Sequence, residues 1–164
     1  MNGMNCMLLS VIGFLADRIL KNKSEDHELP LQGITKARQP YFSNYHNYGA
    51  AMNFGEGKPL VVHTVALMMT VFCTILFLAT LGKKGNGLLR AGLSLLLGGA
   101  YSNLYDRLKH GFVIDYIALQ LPKRLQWKRN DGFVREIVFN LADLSVVAGA
   151  MLLALHGAKE DEAV

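Results

Sequence analysis

Two aspartates, Asp115 and Asp143, each stand inside apolar sequence, "FVIDYI" and "FNLAD" followed by "LSVV". An Asp at mid-membrane costs about 2.5–3.5 kcal/mol on insertion scales, so one that is kept there faces a protein interior and has a task. If the two side chains converge within a few ångströms, repulsion and poor solvation keep both from ionising, and the pair holds one proton near neutral pH. Such a pair can hydrolyse a peptide bond: the ionised member draws a proton from water while the protonated one polarises the carbonyl. Their spacing in the chain permits contact without requiring it.

Other polar groups lie close by. Asn140 precedes Asp143 by three positions, on one helical face, where its amide can bond the carboxyl group or a ligand. The plain alternative is that Asn140 and Asp143 only tie helices together. Asn103, Asp106 and Arg107 share one face at the end of a further apolar segment, and Gly111 is placed to terminate it. An Asp106–Arg107 pair at the surface would be trivial, and Arg107 could simply snorkel to the interface.

These residues need elements to hold them. The chain has 164 residues, 51% of them apolar, and its mean hydropathy is positive, which is more than a soluble domain of this length requires. Spanning a bilayer takes about 20 apolar residues, and four segments qualify: 4–20, 59–81, 87–105 and 137–156. The second has no polar stripe of the kind a soluble bundle would show. The fold expected is an all-α membrane protein, a single domain over 1–164 with four transmembrane helices.

Loops of nearly 40 and about 30 residues follow the first and third spans; loops beyond about 12–15 residues are usually functional or disordered. An odd number of crossings precedes each, so both lie on one side and can build one cap. The stretch "PYFSNYHNYGAAMNF", 40–54, reads as short strands or an interfacial element, which makes the cap β-rich or interfacial. The first apolar run lacks a basic leader and a cleavage site, so it is expected to stay in the mature protein, with Asp17 and Arg18 closing it. Cys6 and Cys73 read as small packing residues rather than a disulfide or a metal site. A net charge of +4, with its Lys and Arg in loops, gives no nucleic-acid patch. The acidic tail "KEDEAV" reads as a solvated end.

The chain resembles the lipoprotein signal peptidases (signal peptidase II), bacterial membrane aspartic proteases. "GGAYSNLYDRLKHGFVIDYI" is similar to that family's block of Gly-Gly-Ala, Asn-Leu-x-Asp-Arg and Gly-x-Val-x-Asp-Phe, and "FNLAD" to its closing Phe-Asn-x-Ala-Asp. "NYGAA", 47–51, resembles its Asn-x-Gly-Ala-Ala loop, and "DRILK", 17–21, its Asp-Gln-x-x-Lys. The resemblance implies that Asp115 and Asp143 are the catalytic dyad and that Asn47, Gly49, Asn103, Arg107 and Asn140 surround the substrate backbone. Asp17, Lys21 and Asp106 become supporting groups, the first two at the rim. It further implies cleavage before the lipidated cysteine of a diacylglyceryl-prolipoprotein, with no metal or organic cofactor. The implied protein works as a monomer among membrane lipids, multi-pass in the bacterial cytoplasmic (inner) membrane, with its site toward the outer face.

The sequence departs from that pattern at Arg18 (usually Gln), Ser102 (usually Gly), Tyr48 (usually small) and Leu144 (usually Ser). Tyr48 and Leu144 bear on which signal peptides fit. The positive-inside rule pulls the other way on orientation: twelve basic residues, Lys36 and Arg38 among them, lie in the two long loops, against Lys83, Lys84, Arg90 and Lys159 on the opposite side. Two other functions compete. A proton or ion carrier would string its acids across the membrane depth, whereas Asp17, Asp106, Asp115 and Asp143 map toward one face. A silent lipoprotein-binding relative would usually have lost an acid, and both are present.

Overall fold

A computed structural model describes residues 3–29, 40–83, 85–129 and 132–161. Lys36, Arg38, Lys84 and the end of the acidic tail lie outside the described residues. Four long helices, α1 (Gly3–Glu25), α2 (Pro59–Thr80), α3 (Gly87–His110) and α4 (Leu141–Asp161), carry most of the chain. Three of them, α1, α2 and α4, are long and apolar enough to cross a membrane.

α3 is the hub, packed against each of the other helices. Its polar composition follows from that place, because a helix covered by neighbours does not need a greasy outer face. The outward faces of its neighbours are apolar: Leu8, Ile12 and Ile19 on α1, Leu60, Met68 and Phe72 on α2, and Val147, Met151 and Leu155 on α4 are all exposed. Apolar surface of that extent suits hydrocarbon and not water. Cys6 and Cys73 are free thiols buried with Phe77, Leu93 and Leu97, the packing role expected of them.

The helix ends have local causes. Pro59 opens α2, where its missing N–H costs nothing. Gly111 closes α3 in the left-handed conformation at φ 80°, its N–H bonded to the Arg107 carbonyl. Gly99 lets α3 and α4 touch backbone to backbone, since a Cβ there would collide with the Ala142 carbonyl.

At one end of the helices sits a three-stranded antiparallel sheet of β1 (Tyr41–Asn47), β2 (Val113–Gln120) and β5 (Glu136–Phe139), with β2 in the centre. A separate hairpin pairs β3 (Trp127–Arg129) with β4 (Gly132–Val134). Tyr45 lies opposite Asp115 in the β1–β2 ladder, and Ile117 opposite Phe139 in the β2–β5 ladder. The strand reading of 40–54 thus holds for 41–47, after which comes a short 3₁₀ turn at Ala51–Asn53.

α1, α3 and α4 each run on past the expected end, to Glu25, His110 and Asp161, and two of the boundary differences have a plain cause. The fourth helix begins at Leu141 instead of 137, because Ile137–Phe139 pair with β2 as strand; a short β-branched apolar run serves either state. The first runs on past Asp17 and Arg18 to Glu25, because those charges are buried against α3 and need not mark an exit to water.

Candidate active site

α4 starts where α1, α3 and β2 meet, and its first peptide N–H groups have no partner within the helix. All three are met by side chains. Leu141 N donates to the Tyr116 hydroxyl at 3.0 Å, Ala142 N to Asp17 Oδ1 at 3.1 Å, and Asp143 N to Asn140 Oδ1 at 2.9 Å. The Asn140 backbone N–H in turn donates to Asp143 Oδ2 at 3.2 Å. This is the reciprocal pattern of a capping box, with Asn140 as the cap and Asp143 at the third helical position. Asn140 therefore precedes the helix rather than sharing one of its faces.

The same Asn140 reaches the second acid. Its Nδ2 donates to Asp115 Oδ1 at 2.7 Å and its backbone N–H to Asp143 Oδ2, so one residue is bonded to both carboxyl groups. Asp115, in the middle of β2, is 1% exposed and accepts a further bond from Asn47 Nδ2 at 3.1 Å. Burial, and next the negative charge of Asp143, push its carboxyl up to about 7 from the ordinary carboxylate range. Asp115 and Asp143 converge.

Asn103 holds the other side of Asp143, donating to Oδ1 at 2.8 Å. Its own oxygen accepts from Lys21 Nζ at 2.8 Å and from Asn140 Nδ2 at 3.2 Å, which fixes which way the amide points. Arg107 donates to the Asn103 carbonyl at 3.2 Å and to the Gly49 carbonyl at 3.1 Å, tying the loop after β1 to α3. Gly49 N donates to Asn47 Oδ1 at 3.0 Å, closing that loop on itself. Asn47, Gly49, Asn103, Arg107 and Asn140 thus all stand around the two acids.

Asp17, Lys21 and Asp106 form a layer behind. Each is fully buried, so the first two lie inside the protein and not at its rim. Lys21 Nζ spends its three protons on Asp17 and Asp106, at 2.8 Å each, and on Asn103. Asp106 is no surface partner of Arg107: it pairs with Arg18 and Lys21 and accepts from Ile114 N at 3.2 Å. Charge taken out of water needs this degree of pairing.

Three members of that layer escaped the reading of the sequence: Arg18, Ser102 and Tyr116. Ser102 Oγ donates to Asp17 Oδ2 at 2.6 Å and Tyr116 Oη to Asp17 Oδ1 at 2.9 Å. Burial, then Asp17, push the Tyr116 phenol above its usual range, so it keeps its proton. The available signal was periodicity: Ser102 lies four residues before Asp106 on α3, and Tyr116 must face opposite to Asp115 on a strand. Among the described residues no cluster of His, Cys, Asp and Glu is suited to a metal ion. Tyr48 and Leu144 are both about half exposed, and Tyr48 packs on Phe112, ring centroids 5.4 Å apart.

Comparison with known proteins identifies the family. A family model described as signal peptidase (SPase) II matches residues 9–159. A lipoprotein signal peptidase of Halothermothrix orenii is 34% identical over 150 residues, covering 91% of this chain and 92% of that one. Another, from Clostridium acetobutylicum, is 30% identical with 95% of each chain covered. Among solved structures, a bacterial membrane enzyme determined by the in meso method at 2.3 Å resolution superposes with a TM-score of 0.67 at 22% identity, covering 96% of this chain and 89% of that one. That last likeness bears on the fold alone.

Proposed function

The chain belongs to the signal peptidase II family, and from that membership we propose that it is an aspartic endopeptidase that cuts prolipoproteins just before the lipidated cysteine. The observation that carries the catalytic type is the bonding of Asn140 to both Asp115 and Asp143. Two acids held that closely in a buried site share one proton. With Asp115 pushed up to about 7, the pair keeps one proton up to about neutral pH, held between the two acids.

The chemistry follows. The ionised member of the pair takes a proton from the attacking water while the protonated member donates its own to the carbonyl oxygen of the scissile bond, giving a tetrahedral diol. Collapse of the diol returns a proton to the leaving amine and regenerates the pair. Asn47, Asn103 and Asn140 offer amide donors and acceptors to an extended peptide without adding charge. Arg107, with two of its five N–H groups used on carbonyls, keeps others for the substrate backbone.

All four helices are taken to cross the bilayer as one domain over 1–164, with α3 shielded by its neighbours and the sheet capping the outer face of a bacterial cytoplasmic membrane. The scissile bond then meets the dyad where a substrate's own membrane helix ends. The protein works as a monomer among its lipids. A reporter fused after residue 164 should score as cytoplasmic; an external score overturns the orientation.

The proposal is tested with detergent-purified protein and a lipidated prolipoprotein, following the mobility shift on a gel. Cleavage is expected, and its rate should fall on the alkaline side with a midpoint near pH 7, as the pair loses its shared proton. A rate that climbs steadily to pH 9 would assign the chemistry to some other group.

A further inference from the structure

The buried layer behind the dyad is fuller than the family pattern requires. Arg18 stands where the pattern has Gln, Ser102 where it has Gly, and Tyr116 where its Asp-Phe pair ends in Phe. All three side chains converge on two carboxylates, Asp17 and Asp106. We propose that Arg18, Ser102 and Tyr116 are positioning residues for peptide hydrolysis, holding Asn103 and the first turn of α4, and through them Asp143, from behind. This rests on Asp115 and Asp143 being the catalytic pair.

Asp17 is saturated. Its Oδ1 accepts from Tyr116 Oη and Ala142 N, and its Oδ2 from Ser102 Oγ and Lys21 Nζ. A carboxylate held at four points cannot turn without breaking bonds in a buried site, so Ala142, next to Asp143, is fixed with it. Tyr116 acts twice, since its oxygen also accepts from Leu141 N. A Phe in its place would leave that N–H and one Asp17 lone pair unmet, and buried groups left so are costly.

Arg18 supplies charge as well as contact. It is 9% exposed, reaches Asp106 and the Asn22 oxygen, and lies 4.7 Å over the Tyr105 ring. With Arg18 present, two carboxylates face one ammonium and one guanidinium and the layer balances. With Gln, one negative charge is left over, and the Lys21 ammonium is drawn toward the two acids and away from Asn103. Facing the dyad are Asp17 and Lys21 from α1 and Arg107 from α3, with Asp106 behind them on Lys21 and Arg18, while β1 brings Asn47 and β5 leads into Asn140. In that setting a surplus negative charge makes the pair hold its proton more tightly.

The test compares R18Q, R18K, S102A and Y116F in the lipidated-prolipoprotein assay, with thermal midpoints measured alongside. S102A and Y116F should each lower kcat about 3- to 10-fold, below their unfolding ranges, with KM within about twofold of the parent. R18Q should move the alkaline limb of the kcat profile up by about half a pH unit, and R18K should bring it back. The proposal is overturned if R18Q leaves the limb in place, or if S102A and Y116F lower the thermal midpoint while kcat stays at the parent value. Asp115→Asn in the same assay keeps the questions apart. If it is inactive while the other variants match the parent, the dyad stands and the positioning layer falls; if it cleaves normally, the dyad itself falls.

Discussion

Asp115→Asn and Asp143→Asn should each lower kcat for prolipoprotein cleavage by about a thousandfold or more, at the upper part of the range for a positioned acid or base. An amide can neither take the water's proton nor give one to the carbonyl. Each replacement keeps the side-chain size, but one accepting oxygen becomes an NH2 set against a donor, Asn47 or Asn140 at one position and Asn103 or the Asn140 N–H at the other, so thermal midpoints are measured alongside. A folded variant should still bind substrate, with KM changed less than about threefold. The two losses should not add, because neither acid works without its partner. The measurement is single-turnover cleavage of a lipidated prolipoprotein by each single variant and by the double. A variant that keeps the parent rate removes its residue from the mechanism.

Lys21→Met is expected to damage folding and activity together. Lys21 is wholly buried, and its ammonium is the one group bonded at once to Asp17, Asp106 and Asn103. Removing one partner of a buried ion pair leaves uncompensated charge, a loss of about 3–5 kcal/mol. Arg18 remains paired with Asp106, but Asp17 then has only neutral donors. Asn103 also loses the donor that orients its amide toward Asp143, so kcat should fall about 100-fold at temperatures where the variant is still folded. Lys21→Arg should not restore it, since a planar guanidinium cannot aim three donors at three acceptors set around a point. Thermal unfolding in detergent and cleavage of the same sample check both halves. Parent-like stability would mean that the buried layer carries little of the fold.

Asp115 and Asp143 stood out as candidates because an acid in apolar sequence is costly wherever it sits, and that cost is local to the sequence. α2 was legible for a similar reason: every turn of 59–80 is apolar, and helix is the state that satisfies its backbone without help. Convergence of Asp115 on Asp143 was not legible, since it depends on β5 pairing with β2 and so bringing the start of α4 alongside. The same limit hid the layer behind. Arg18 meets a partner 88 residues away and Tyr116 one 99 residues away, and nothing beside either residue announces it. Buried pairs between distant segments look, in one dimension, like charges that end a helix. That is why the first span was expected to end at residue 20 when α1 continues to Glu25.

Among the described residues α3 packs against each of the other long helices and is the one long helix not apolar enough to span a membrane by composition. In the arrangement proposed here it also carries Arg90, Asp106 and Arg107, and each such charge opposes entry into lipid by itself. On that arrangement α3 stays in the bilayer only by the cover of its neighbours: Asp106 is balanced there by Arg18 and Lys21 of α1. Damage to α1 would therefore turn α3 into a charged helix facing lipid, so the two helices stand or fall together.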